Sequence, residues 1–89
     1  MSLRETWVYR IYLSTVNKNL LDDIVDSVKR TIKEVDEVNV KESNIVNNFY
    51  LVEIYSKSRV DVHELENLLE KLGLEKNNYK VDAILTKRP

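Results

Sequence analysis

Trp7-Val8-Tyr9-Arg10-Ile11-Tyr12-Leu13 carries its bulkiest apolar side chains on the odd positions. A strand sends successive side chains to opposite faces, so Trp7, Tyr9, Ile11 and Leu13 share one side and Val8, Arg10 and Tyr12 the other. The alternation predicts a strand over roughly Thr6–Ser14 with its odd face buried. Beyond it the period changes. Leu20, Leu21, Ile24, Val25, Val28, Ile32 and Val35 recur at helical spacing and predict one amphipathic helix over 20–35. Asn19 stands where an N-cap belongs, with Asp22 three residues on. Lys29, Arg30 and Lys33 fall in the later turns, where positive charge suits the helix dipole.

Alternation then returns twice. Val38 and Val40 open a second strand that ends in a turn over Asn44–Asn48, and Phe49–Tyr55 forms a third. In the third, Tyr50, Val52 and Ile54 lie on one side and Phe49, Leu51, Glu53 and Tyr55 on the other. A second helix is punctuated at both ends. Asp61 caps it, Glu64 stands at the capping-box position, and Val62, Leu65, Leu68, Leu69 and Leu72 make its stripe. Gly73 occupies the C′ position, and Leu74 is placed for the hydrophobic contact of a Schellman ending. A last strand over Tyr79–Thr86 puts Val81, Ala83 and Leu85 on one side and Lys80, Asp82 and Ile84 on the other. The order βαββαβ predicts an α+β, ferredoxin-like sandwich: a four-stranded antiparallel sheet with two helices on one face.

Eighty-nine residues with 43% apolar content suit one domain over 1–89, with residues 1–5 and 87–89 expected to fray and Met1-Ser2-Leu3 reading as an added leader. No cysteine is present, which removes disulfides, thiolate metal sites and thiol nucleophiles and accords with a cytoplasmic setting. A net charge of −1 lowers the expectation of a phosphate-binding surface. No apolar run approaches the ~20 residues that cross a bilayer, so no membrane partner is expected. With one glycine in the chain, neither a P-loop nor a dinucleotide fingerprint can be assembled. The turns fall instead on asparagine and serine, and asparagine tolerates the left-handed backbone.

Chemistry finds little to work with. The one histidine, His63, lies in the first turn of the second helix, where only Glu66 and Asn67 can share its surface. One His and one Glu fall short of the ligand number zinc requires, so His63 is read as a solvated surface residue and no metal or cofactor is expected. Asp22, Asp23 and Asp26 lie away from the apolar stripe, where nothing desolvates them enough to divide acid from base. They read as the charged outer face an amphipathic helix needs, and no enzyme activity is expected.

The sheet face turned away from the helices is richer. In the spatial strand order of this fold, the central strands place Val8, Arg10, Tyr12, Phe49, Leu51, Glu53 and Tyr55 side by side, flanked by Lys80 and Ile84. Two tyrosines, a phenylalanine and a leucine on one open face imply a partner. The interface expected there comprises Val8, Tyr12, Phe49, Leu51, Tyr55 and Ile84, and its occupant is another copy of the chain.

Ile11-Tyr12-Leu13-Ser14-Thr15-Val16 resembles the first-strand motif of the RNA-recognition motif, with Tyr12 at the stacking position. Asn47-Asn48-Phe49-Tyr50-Leu51-Val52-Glu53-Ile54 is similar to its third-strand segment, with Phe49 on an aromatic position. The resemblance implies single-stranded RNA binding through Tyr12 and Phe49, with Arg10 and Lys80 beside them. The chain departs from that family in lacking the Lys/Arg-Gly opening and in placing Leu51 where a second aromatic stacks.

Other uses of the fold drop out by residue. Ser14–Lys18 has no Cys-x-x-Cys for a metal chaperone, Thr15-Val16-Asn17 lacks the glycine of amino-acid sensors, and the glycines and arginine of acylphosphatases are missing. Val35-Asp36-Glu37-Val38-Asn39-Val40 is similar to the Val-Asp-Gly-Val-Asn-Ile turn of a small archaeal family of ferredoxin-like proteins. Val60-Asp61, Gly73 and Val81-Asp82-Ala83-Ile84 follow in the same order. That resemblance implies homo-oligomers. The family's Lys-Pro-His-Glu segment and its second helix-end glycine are absent.

Overall fold

The computed structural model describes the backbone of residues 4–88 and the side chains of residues 6–86. Strand β1 runs Arg4–Ser14, helix α1 Asn19–Thr31, β2 Val35–Glu42, β3 Phe49–Ser56, helix α2 Val62–Lys71, and β4 Tyr79–Arg88 after a short 3-10 turn at Lys76–Asn78. All neighbouring strands pair antiparallel in the order β2-β3-β1-β4. This is the expected ferredoxin-like arrangement, with β1 and β3 at the centre. Of the ends expected to fray, residues 1–3 and 89 lie outside the described residues, whereas Arg4 and Glu5 pair with Arg88 and Lys87.

The core lies between the sheet and the helices, α1 over the β2 side and α2 over the β4 side. Tyr9, Ile11 and Leu13 from β1 and Tyr50, Val52 and Ile54 from β3 meet Leu21, Ile24 and Val28 of α1 and Leu65, Leu68 and Leu69 of α2. Strand alternation and helical stripe converge there, and burying such side chains stabilises the fold by ~1.5–3 kcal/mol each.

Two boundaries differ from the sequence expectation. Helix α1 stops at Thr31, and Ile32 is already extended at φ −112°, ψ 102°. Val35 therefore begins β2 instead of closing the helix, and it pairs with Ser56. An apolar residue at a helix–strand boundary satisfies either period, so spacing cannot decide its element. Val35 and Val38 both pack toward the helices although they stand three positions apart, an odd step that strict alternation sends to opposite faces. The register break between Val35 and Glu37 explains this: Asp36 is the extra residue of a β-bulge. At the other end of α1, the cap falls earlier than expected. Asn17 Oδ1 accepts from Asn19 N–H at 3.1 Å, while Asn19 itself is helical.

Helix α2 is punctuated largely as read. Asp61 Oδ1 accepts from His63 N–H at 2.9 Å, one residue before the capping-box geometry would place it. At the far end Leu74 N–H donates to Leu69 C=O and Gly73 N–H to Glu70 C=O, the paired bonds of a Schellman ending. Gly73 has φ +98° and Leu74 is buried beneath the turn. Asn48 takes the left-handed backbone at φ +61° in the β2–β3 connection.

Candidate functional site

The open face of the sheet is organised in rows set by the register. One row reads Glu37, Tyr55, Val8, Ile84 across β2, β3, β1 and β4. The next reads Asn39, Glu53, Arg10, Asp82, and the third Lys41, Leu51, Tyr12, Lys80. Phe49 follows opposite Ser14. Every residue expected on this face is there. The apolar ones do not form a continuous patch, however: a polar row separates Tyr55, Val8 and Ile84 from Leu51, Tyr12 and Phe49.

The polar row is internally neutralised. Glu53 is 5% exposed. Lys41 Nζ reaches across from β2 to its Oε1 at 2.9 Å, and Arg10 Nε lies 3.4 Å from its Oε2. The Lys41 hydrogen bond holds the Glu53 carboxyl below the ordinary carboxylate range, against the opposing effect of burial and with help from the Lys41 and Arg10 charges. The same hydrogen bond and charge raise the Lys41 ammonium above its ordinary value. Among the described side chains of these three rows, Arg10, Lys41 and Lys80 are matched by Glu37, Glu53 and Asp82, so the rows carry no net charge.

Exposure separates the apolar members. Val8 is 5% exposed, seated between Tyr55 and Ile84, and has little surface left to bury. Tyr12, Phe49, Leu51 and Tyr55 are half-buried and Ile84 is 40% exposed. The Tyr12 and Phe49 rings lie 6.5 Å apart at 26°. With Asn77, Asn78 and exposed Lys80 they line a shallow depression of about 750 Å³ at the corner of the face.

Sequence reading missed apolar surface beyond that corner. Val16 is 85% exposed in the β1–α1 connection, and Ile45 and Val46 are exposed in the β2–β3 connection. The two connections are joined by Thr15 N–H donating to Asn48 C=O at 2.9 Å. An apolar residue inside a turn has no periodicity to announce it. Two features on the helix side were likewise invisible. Arg59 Cζ stands 5.8 Å from the centroid of the Trp7 ring, and the Tyr9 hydroxyl accepts from Val60 N–H. His63 is well exposed, with Nδ1 3.1 Å from Glu66 Oε1. Among the described residues no three metal-ligating side chains come together, and no helix is long and apolar enough to cross a membrane.

No family model matches the sequence, and no curated protein matches it. The fold has solved counterparts. An uncharacterised protein of Thermotoga maritima superposes with a TM-score of 0.60 over 94% of this chain and 98% of that one, at 9% identity. The nitrogen regulatory PII-like protein CPII of Thiomonas intermedia gives 0.56 over 99% and 98%, at 18% identity. Formyltetrahydrofolate deformylase of Burkholderia mallei gives 0.53 at 14% identity, covering 88% of this chain but 27% of that one. Likeness at these identities establishes the shared fold, and function has to be argued from the site.

Proposed function

We propose that this chain is a non-enzymatic interaction domain that associates with further copies of itself through the open face of the sheet. The observation supporting this reading is the neutralised row at the centre of that face. Glu53 is held between Lys41 and Arg10, with apolar surface above and below. Three central rows of no net charge, apolar in two bands and polar between them, suit a protein surface of the same make-up. It supplies little of the electrostatic attraction that holds nucleic acid. Light scattering on the wild-type chain and on Leu51→Asp tests the proposal. Leu51 is half-buried on the face, so the substitution leaves the helix-side core intact while placing a charge in the apolar band. A wild-type oligomer that becomes monomeric in the variant is the expected result, and an unchanged mass overturns the reading.

Single-stranded RNA binding is a second reading, favoured by the depression where Tyr12 and Phe49 stand beside Lys80. Stacking on those rings is worth ~1–3 kcal/mol per base. Commitment of Arg10 to Glu53 weakens this reading, because it removes one of the two cations expected to meet phosphate. Titration of a single-stranded oligonucleotide into wild type and Tyr12→Ala decides it: equal affinities reject the reading.

A further inference from the structure

The two outer strands of the sheet are built differently. β2 interrupts its ladder with the bulge at Asp36 and carries exposed Glu37, Lys41 and Glu42. Bulges and charged side chains are the usual means by which an edge is kept from pairing with another strand. β4 has no bulge, and the charges nearest its start, Lys80 and Asp82, are of opposite sign. It pairs with β1 without a register break from Tyr79 to Arg88, and Val81, Ala83, Ile84 and Leu85 follow one another with a single charge, Asp82, among them. Ile84 and Leu85 are 40% and 47% exposed on opposite faces. Among the described residues no strand pairs with the outer edge of β4.

We infer that the outer edge of β4 pairs antiparallel with β4 of a second copy of this chain, about a two-fold axis at Val81. The register follows from charge. Lys80 and Asp82 flank Val81 on the open-face side of the strand. A two-fold axis at Val81 sets Lys80 opposite Asp82 of the second copy and Asp82 opposite its Lys80, two cross-strand ion pairs. On the helix side Val81 meets Val81, and Tyr79 meets Ala83, a large side chain against a small one. The neighbouring registers are penalised. An axis at Lys80 sets two ammonium groups opposite each other, and an axis at Asp82 sets two carboxylates opposite each other. An axis at Ala83 leaves Asp82 facing Ile84. Among the registers centred on Lys80 to Ala83, the one at Val81 alone pairs unlike charges, and it meets the self-complementarity that isologous pairing requires. The ladder spans Tyr79–Ala83 of each copy and joins the two sheets edge to edge, a contact separate from the face-to-face association proposed above.

Charge exchange on the full chain tests this, read by sedimentation equilibrium with circular dichroism to follow folding. Asp82→Lys makes both positions basic, and Lys80→Asp makes both acidic. Each variant alone is expected to weaken dimerisation about tenfold or more, since two favourable cross-strand pairs become repulsive. An equimolar mixture of the two restores Lys–Asp pairing between unlike chains and is expected to recover the dimer. Wild type that stays monomeric at all concentrations overturns the inference. So does a dimer indifferent to both substitutions, or a mixture that fails to recover. Loss of assembly in Leu51→Asp with indifference to the charge variants leaves the open-face contact standing and the β4 contact rejected. The opposite pattern rejects the open-face contact alone.

Discussion

The hydroxyl of Tyr9 accepts a hydrogen bond from the backbone N–H of Val60 at 2.5 Å, joining the centre of β1 to the segment that enters α2, 51 residues away. Both residues are buried, so the amide has no solvent to turn to once the hydroxyl is gone. Tyr9→Phe keeps the ring in the core and strands that N–H, at a cost of about 1–3 kcal/mol. Tyr50, on the same side of β3, makes the control, because its buried hydroxyl has no hydrogen-bond partner among the described residues. Tyr50→Phe removes a desolvated group that makes no bond and leaves stability unchanged or slightly raised. Urea denaturation of both variants checks the pair. Equal losses would mean that the Tyr9 bond contributes nothing of its own.

Gly73 ends α2 at φ +98°, and a Cβ built there meets nothing within 4 Å. Space is therefore not the constraint. Gly73→Ala loses about 1–2 kcal/mol through the left-handed backbone alone. Gly73→Asn is expected to lose less, because asparagine tolerates that conformation better. Thermal melts of the two variants give the order, and an alanine variant as stable as wild type would refute the backbone account.

Ser56 closes β3 fully buried, its hydroxyl donating to Ser58 C=O at 2.8 Å and reaching Glu34 C=O at 3.3 Å. It ties the end of β3 to the approach of β2. Ser56→Ala releases both carbonyls, and about 1 kcal/mol of stability should go with them. Amide exchange of Lys57, whose N–H donates to Glu34 C=O at 3.1 Å, should quicken in the same variant.

Ser56 also marks where sequence reading runs out. Two periods, 2 and 3.6, were enough to order all six elements, because each element buries one face and says so in its spacing. Gly73 and Asp61 announced the ends of α2, since few residue types serve those positions. Val35 did not reveal its element, because an apolar residue at the junction fits stripe and strand alike. A legible hint was there: Val35, Val38 and Val40 break alternation once, which is the signature of a bulge. Ser56 reads as a turn residue by type, yet it is core. Of the open face, alternation gave the membership but not the partition. That Glu53 sits buried between Lys41 and Arg10 depends on cross-strand register, which local sequence does not carry.

That register makes the stability contributed by Glu53 depend on pH. The Lys41 hydrogen bond holds the folded Glu53 carboxyl below its ordinary value of 4.5. The folded chain thus binds this proton less readily than the unfolded chain does. The stabilisation is present in full above about pH 4.5 and is lost as pH falls through the folded value. Lys41 reports the same contact from the other side. Its ammonium is held above 10.5, so its share is present below that pH and is lost as pH rises through the folded value. Neutral pH lies on the plateau between the two. Glu53→Gln should cost about 1 kcal/mol on that plateau, near the low end for charge-assisted bonds because Lys41 and Arg10 reach solvent. The gap between wild type and variant should then narrow as the solution is acidified through the carboxylate range. Denaturation curves taken along that descent check it. A gap that stays constant or widens would mean that Glu53 is not held by its cationic neighbours, and the neutral centre of the face would have to be reassigned.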